Sequence, residues 1–396
     1  MRLFLIPVLG LVLFASVASA TQESTVRPAS TSSGSASSVL GFVGLGRHVV
    51  LTRLDGRTLA PLAGANRLPV SSGPWAFSPD GSRLAVSTRG GGLAIVDPVK
   101  LRVMYRVVDA GGFADVSPIA FAWAGRSTIV ALGYCSCSDG SIAYVWVDLP
   151  GPFGEGIDWQ VDLFQPAIFS WERTQAGLVV LGNPDADPSV LGLDELGAGG
   201  SGNVSLSLTT GSWAVLAVDH SNDRLFVISA AGMAADIPRG GSGPSISYHS
   251  VTLASPPNGT TPRRSAAWLG SNTLALWGSD GDGASWTPAG LTFIHTNTWT
   301  TQMVDPAVTN AVAAGDALVA WTDTPDGIAV YAPSGERFRA LSGHQVSGVA
   351  ASTNYAYVSA DCFTPSANSS CLRFAVNLHT GRTTGPLRSH ATPILP

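Results

Sequence analysis

Two segments of the chain carry aspartates at a spacing suited to holding a cation. Asp185 and Asp187 lie in Asn-Pro-Asp-Ala-Asp, and Asp280 and Asp282 lie in Asp-Gly-Asp-Gly. Carboxylate oxygens at alternate loop positions are typical calcium ligands, but neither segment supplies the full ligand set with its bidentate glutamate. Aspartate is also a favoured turn residue. The spacing therefore leaves two interpretations, a calcium site or ordinary turns, and no other cofactor is indicated.

The four cysteines form two close pairs. Cys362 and Cys371 bracket a turn-rich stretch between two strand-like segments, so we expect a disulfide at the neck of a hairpin loop. Cys135 and Cys137 are only two residues apart, and a bridge between them would close a small strained ring. This second pair is therefore either a strained turn disulfide or a partner for another chain, or else a redox or metal-binding pair.

No local catalytic motif occurs in the sequence. The histidines are scattered and form neither His-x-His nor His-Glu-x-x-His, and no phosphate-binding Gly-x-x-x-x-Gly-Lys is present. We expect His344 to be a hydrogen-bonded imidazole that ties strands together. These observations favour a protein that is not an enzyme, while an active site assembled from several repeats stays an alternative.

A unit of four short strands recurs along the chain and would position these residues. Residues 75–108 show it most clearly, with Trp-Ala-Phe-Ser-Pro-Asp-Gly-Ser-Arg-Leu-Ala-Val-Ser-Thr, a glycine-rich turn and two further strands. A period of about 40–50 residues with four strands predicts an all-β fold, a single β-propeller of four-stranded antiparallel blades. Residues 39–62 supply less than a full unit. Seven blades are favoured, and eight result if a strand from the other end of the chain completes that unit.

Three stretches resemble known propeller repeats. Residues 75–85 resemble the PD40 repeat of TolB-type proteins, and Leu-Ala-Ile-Val-Asp-Pro at 93–98 is similar to repeats of the bacterial YVTN family. Leu-Ser-Gly-His-Gln-Val at 341–346 resembles the start of a WD40 unit, although the Trp-Asp dipeptide of WD40 repeats is missing. The resemblance implies propeller architecture of a secreted bacterial type and no particular activity.

Strand direction predicts that the loops between second and third strands (b–c loops) share one face of the propeller with the connections between blades. Several b–c loops are long, whereas the glycine-rich turn of residues 89–92 is short. Because loops on a rigid scaffold carry function, we expect this b–c face to be the binding face. Its candidate residues are Asp139, Asp280, Asp282, Trp286, Asp323, Asp326 and Asp361.

The N-terminal residues predict export. Residues 1–20 combine Arg2, an apolar run and Ala-Ser-Ala, which is the pattern of a secretory signal peptide. Residues 21–38 are rich in Ser and Thr and predict a disordered tether. The propeller is expected over residues 39–390 and a short tail over 391–396. No second apolar stretch long enough to span a membrane follows the signal.

Composition narrows the partners. The net charge of −5, with 12% of residues charged, provides no basic stripe of the kind that nucleic acid requires. We therefore expect a secreted or extracytoplasmic, monomeric propeller that binds a protein or a cell-envelope component through the b–c face. The alternative is a propeller hydrolase, lactonase-like or glycan-active, either with or without calcium.

Overall fold

The computed structural model describes residues 38–44, 48–89, 92–107, 116–135, 142–149, 158–164, 168–174, 176–182, 191–197, 200–208, 211–239, 245–283, 285–363, 370–387 and 391–395. Within these ranges the structure contains 33 strands. None of the described residues belongs to a helix that could cross a membrane.

The first four sheets, numbered as blades 1–4, come from the N-terminal half. Blade 1 contains β1 (Ser38–Val43), β2 (Val50–Asp55), β3 (Arg67–Pro69) and the C-terminal β33 (Thr392–Ile394). Blade 2 contains β4 (Trp75–Phe77), β5 (Leu84–Ser87), β6 (Leu93–Asp97) and β7 (Arg102–Val107). Blade 3 contains β8 (Val116–Ala124), β9 (Thr128–Cys135), β10 (Ile142–Asp148) and β11 (Asp158–Phe164). Blade 4 contains β12 (Ile168–Thr174), β13 (Gly177–Gly182), β14 (Leu191–Gly197) and β15 (Gly200–Leu206).

The other four sheets follow in chain order. Blade 5 contains β16 (Ala214–Asp219), β17 (Arg224–Ser229), β18 (Met233–Pro238) and β19 (Ser247–Ser250). Blade 6 contains β20 (Thr261–Trp268), β21 (Thr273–Gly281), β22 (Trp286–Pro288), β23 (Leu291–His295) and β24 (Thr300–Asp305). Blade 7 contains β25 (Asn310–Ala314), β26 (Ala317–Trp321), β27 (Ile328–Ala332) and β28 (Gly335–Ala340). Blade 8 contains β29 (Val346–Ala351), β30 (Tyr355–Phe363), β31 (Ser370–Asn377) and β32 (Thr383–Thr384).

Each sheet packs its two faces against the two sheets beside it. Side chains alternate along a strand, so in β16 Leu216 points towards blade 4 while Val215 and Ala217 point towards blade 6. Eight buried apolar clusters result, one between each pair of successive blades, and the last joins blade 8 to blade 1 through Tyr357 and Leu54. From blade 2 to blade 8 the first strands of successive blades contact each other, which places them around a common axis. The sheets therefore form a closed ring, as the sequence predicts.

The C-terminal strand completes blade 1. Strand β33 pairs with β1, with Leu40 opposite Ile394, and takes the place that the first strand holds in the other blades. Ile394 is 1% exposed, and burial of such a side chain contributes about 1.5–3 kcal/mol. The eight sheets correspond to the eight-blade alternative and not to the favoured seven. The expected tail at 391–396 also differs, since residues 392–394 form a strand of blade 1. The residue types of so short a terminal segment do not indicate which strand its backbone pairs with.

A five-residue turn recurs between the third and fourth strands of several blades (c–d turns). The backbone N–H of its last residue donates to the C=O of its first in Leu59 to Asp55, Leu101 to Asp97, Trp299 to His295 and Gly381 to Asn377. The last residue has a positive φ in all four turns. In three of them the first side chain, Asp or Asn, also accepts backbone N–H groups of its own turn. These turns satisfy their own polar groups locally.

Several sequence predictions lie outside the described residues. They are the signal peptide at 1–20, nearly all of the tether, Cys137, and the aspartates Asp139, Asp185 and Asp187. Cys135 ends β9, and only its backbone is described. Export, the second cysteine pair and three of the candidate aspartates therefore stay predictions.

Candidate functional site

Blade 6 departs from the other blades on the b–c face. Strand β21 continues past its pairing with β23 and turns back as β22, so Gly281 lies opposite Trp286. Asp282 forms the turn, because its Oδ1 accepts the N–H of Ser285 at 2.9 Å. Among the described sheets this is the one with a fifth strand. We call the end of β21, the turn and β22, from Ser279 to Pro288, the blade 6 hairpin.

A buried ion pair holds the base of the blade 6 hairpin. Nη2 of Arg264 on β20 lies 2.7 Å from Oδ1 of Asp280, and the two side chains are 6% and 8% exposed. Nη1 of Arg264 donates to the C=O of Ser279 at 2.9 Å, and the guanidinium also lies 5.5 Å from the ring centroid of Trp213 in blade 5. Asp280 is thus neutralised inside the protein. It offers no free carboxylate to a ligand.

Arg263, which is exposed, and Trp286, which is half-buried, stack on the other face of blade 6. Arg263 and Arg264 are consecutive on β20, so their side chains point to opposite faces of the sheet. The guanidinium carbon of Arg263 lies 3.7 Å from the ring centroid of Trp286, within the range of a cation–π contact. The indole rests on Gly281, where an added Cβ would lie 2.5 Å from Cδ2 of Trp286. Glycine at 281 therefore makes room for the ring.

A second polar group lies where blades 7 and 8 meet. Nδ1 of His344 is 2.6 Å from Oδ2 of Asp361, whose Oδ1 accepts the N–H of Gln345 at 2.9 Å. These two bonds, from His344 first, hold the pKa of Asp361 below its ordinary value. Nε2 of Gln345 then donates to the C=O of Asp323 in the b–c loop of blade 7, at 3.0 Å. His344 and Gln345 therefore tie the two blades together, in the role expected for His344.

The remaining carboxylates of the predicted face are engaged within their own surroundings. Oδ1 of Asp323 accepts Oγ1–H of Thr309 at 3.2 Å, and Oδ2 of Asp326 accepts Oγ1–H of Thr324 at 2.5 Å. The disulfide between Cys362 and Cys371 forms as predicted, with Cα atoms 4.1 Å apart, and closes the neck of the b–c loop of blade 8.

The predicted binding residues thus fall into two groups. Asp280, Asp282 and Trp286 belong to the blade 6 hairpin, and Asp323, Asp326 and Asp361 belong to blades 7 and 8. In the described part of the chain no three His, Cys, Asp or Glu side chains are grouped so that they could hold a metal ion. Of the calcium candidates, Asp280 has Arg264 as its partner and Asp282 caps a turn.

The sequence analysis did not single out Arg263, Arg264 or Gln345. The signal available was the pair of adjacent arginines, which the structure places in the first strand β20, where charged residues are uncommon and alternation sends one to each face. Their partners Asp280 and Trp286 were noticed, but as loop residues. Pairing them requires the register of β20 on β21 and of β21 on β22.

Comparison with known proteins supports the fold and goes no further. No family model matches the chain, and no curated protein matches it. Among solved structures, the dihydro-heme d1 dehydrogenase NirN in complex with DHE aligns over 90% of this chain and 73% of its own, with a TM-score of 0.52 at 17% identity. BamB from Moraxella catarrhalis aligns over 82% and 93%, with a TM-score of 0.45 at 13% identity. Sqt1 from Chaetomium thermophilum aligns over 81% and 90%, with a TM-score of 0.47 at 14% identity.

These neighbours are propellers, including proteins of the WD40 type. At such identities the likeness shows the fold alone. The chain is a β-propeller, and its own b–c face is the feature that indicates a function.

Proposed function

We propose that this chain is an exported propeller that binds a protein of the cell envelope through its b–c face, with the blade 6 hairpin as the main contact. The observation that carries the proposal is the stack of an exposed Arg263 on a half-buried Trp286, on a hairpin that the other described blades lack. Tryptophan and arginine are the residues most enriched among those that dominate binding energy at protein interfaces. The hairpin presents both side chains already in contact.

The site is built for binding with little reorganisation. The base of the hairpin is held by the Arg264–Asp280 ion pair, and its turn is closed by Asp282 and Ser285. A contact surface held rigid before binding avoids part of the ordering cost of association. On the same face, the hydrogen bond from Gln345 to Asp323 joins blades 7 and 8 and holds them in a fixed arrangement.

Export is supported by two observations. The first 20 residues have the pattern of a signal peptide, and the Cys362–Cys371 disulfide is of the kind that persists in oxidising compartments. We propose that the mature chain works outside the cytoplasm as a monomer. A protein of the cell envelope would then be its partner.

Site-specific photo-crosslinking in the producing cell tests this proposal. A photoreactive residue replaces either Thr287 in β22 or Thr298 in the c–d turn of blade 6, which are both exposed threonines of the same blade. We expect a discrete adduct from position 287 and none from position 298. Adducts from position 298 alone, or from neither position, would contradict binding through the b–c face. Turnover of lactones or glycosides by the purified protein, without an adduct, would favour the hydrolase alternative.

A further inference from the structure

The Arg263 guanidinium lies on the face that we propose for binding, and no described residue is its counter-ion. Arg264 beside it, in contrast, is paired with Asp280. Asp282, the carboxylate in the turn of the blade 6 hairpin, accepts the N–H of Ser285. Arg263 is exposed, so its charge is available to a partner.

Stacking on Trp286 prepares this guanidinium for one kind of ligand. A guanidinium carries its five N–H donors in its plane, so a ring against its flat face leaves those donors free. Paired donors of this geometry match the two oxygens of a carboxylate. The indole also holds the long side chain in place, which lowers the entropy that binding would otherwise remove.

The strand beneath the stack offers a place for a peptide backbone. Among the described strands β22 pairs only with β21, so its other side is a sheet edge in the part of the chain that the structure describes. An extended peptide can add to such an edge through main-chain hydrogen bonds. Trp286 belongs to β22 and its ring lies over Gly281 of the neighbouring β21, so the guanidinium on that ring lies one strand in from the edge, where a long acidic side chain of a strand added beside β22 would reach across to it. Because β22 has three residues and Pro288 lacks an N–H, the backbone contact is short and the side-chain contact dominates.

We propose that the blade 6 hairpin binds an acidic peptide segment, with the peptide backbone along β22 and an Asp or Glu carboxylate on the guanidinium of Arg263. This inference rests on the proposed function and names the chemistry of the partner. A glycan that carries acid groups would satisfy Arg263 but would not use the edge of β22.

Fluorescence anisotropy with two labelled peptides tests the proposal. The acidic probe is (Gly-Ser-Glu)4 and its neutral match is (Gly-Ser-Gln)4, both at low ionic strength. We expect binding of the acidic peptide at least tenfold tighter than that of the neutral one, and weaker binding as salt is added. Arg263→Ala should weaken binding of the acidic peptide about tenfold, because a charge-assisted pair is lost. Arg263→Lys keeps the charge but not the paired donors, so its affinity for the acidic peptide should lie between those of wild type and Arg263→Ala.

Two further variants separate the stack from charge and from folding. Arg126→Ala removes an arginine that is 83% exposed in the first turn of blade 3, and binding should stay within twofold of wild type. Gly281→Ala places a Cβ against the Trp286 ring. It should therefore weaken binding of the acidic peptide although the charge of Arg263 remains. Thermal melting of each variant shows whether it is folded.

Equal binding of the two peptides, or equal binding by wild type and a folded Arg263→Ala variant, overturns the proposal. A charged oligosaccharide such as a short polygalacturonate, bound in an Arg263-dependent way while the peptide is not, also overturns it and identifies a glycan instead. An adduct from position 287 with no acidic-peptide binding overturns this inference alone and leaves the proposed function standing.

Discussion

The c–d turns and the b–c face of blades 6–8 satisfy their polar groups in different ways. In the c–d turns a side chain accepts N–H groups two and three residues ahead, as Asn377 does from His379 and Thr380. On the b–c face the partners are far apart in sequence, 16 residues for Arg264 and Asp280, 17 for His344 and Asp361, and 22 for Gln345 and Asp323. The turns are thus local structures, whereas the b–c contacts join strands and blades.

The difference has consequences for what a substitution removes. Loss of a turn acceptor exposes N–H groups that water can reach, so the cost should be small and confined to one turn. Loss of a partner on the b–c face leaves a charged group inside the protein or separates two blades. Variants on the two faces should therefore differ in the size of their effects.

The largest effect is expected for Asp280→Ala. It leaves Arg264, which is 6% exposed, without its counter-ion, and breaking a buried pair in this way costs about 3–5 kcal/mol of the free energy of unfolding. Urea unfolding measures the loss. The double variant Arg264→Leu with Asp280→Ala should recover most of it, since no charge is then left buried. A loss below about 1 kcal/mol for the single variant would mean that the pair does not support the hairpin.

Asp361→Ala should have an intermediate effect. It removes the acceptor for His344 and for the N–H of Gln345, and hydrogen bonds to charged groups contribute about 1.5–3 kcal/mol. Asp326→Ala is the matched control on the same face, because its one hydrogen bond among the described residues comes from an exposed threonine side chain within its loop, and about 0.5 kcal/mol is expected. The same denaturation measurement serves both. Equal losses would show that Asp361 does not join the blades.

Asn377→Ala tests a c–d turn and should cost about 1 kcal/mol, the usual contribution of local side-chain hydrogen bonds to backbone. Asn377→Asp keeps the acceptor oxygen and should stay within about 0.5 kcal/mol of wild type. If Asn377→Ala were as damaging as Asp280→Ala, the distinction between local turns and the b–c face would fail.

The smallest effects are expected in the pKa values of the carboxylates. Hydrogen bonds from Ser78 and then Ser82 lower the pKa of Asp80 to about 2 in its own turn, and His344 lowers that of Asp361. Ser78→Ala should raise the first value and His344→Phe the second, each measured from carboxyl carbon shifts against pH. A folded-state pKa below the unfolded value means that the unfolded chain binds protons first as pH falls. The stability that these carboxylates add is present above about pH 4 and is lost as the pH drops through each folded-state pKa. A substitution that leaves the corresponding titration unchanged would contradict these assignments.

Much of the fold could be predicted because its signals are local. Strands such as β5, β6 and β26 have apolar residues between turns, and Pro79-Asp80-Gly81 specifies a turn by backbone preference alone. The bridge between Cys362 and Cys371 follows from their place at the neck of one hairpin. The blade count did not follow, because Thr392–Ile394 meets β1 only when the ring closes.

The candidate site was predicted less well. Trp286 and Asp280 were noticed as loop residues of the expected binding face, but the cation that each one meets belongs to β20, about 16 to 23 residues earlier. No periodicity in residue types links positions at that distance. The aspartates predicted for the face also gave no sign that Asp280 is paired with Arg264, or that Arg263 forms no ion pair with a described residue.

The sequence by itself determined the repeated four-stranded unit, its turns and the face on which long loops occur, because strand alternation and turn chemistry act over a few residues. Only the tertiary structure decided that eight sheets close the ring, that Asp280 is held by Arg264, and that Arg263 lies over Trp286. Those features depend on register between strands and on packing between blades. The residues in such contacts are far apart along the chain, and no local conformational preference indicates that they will meet.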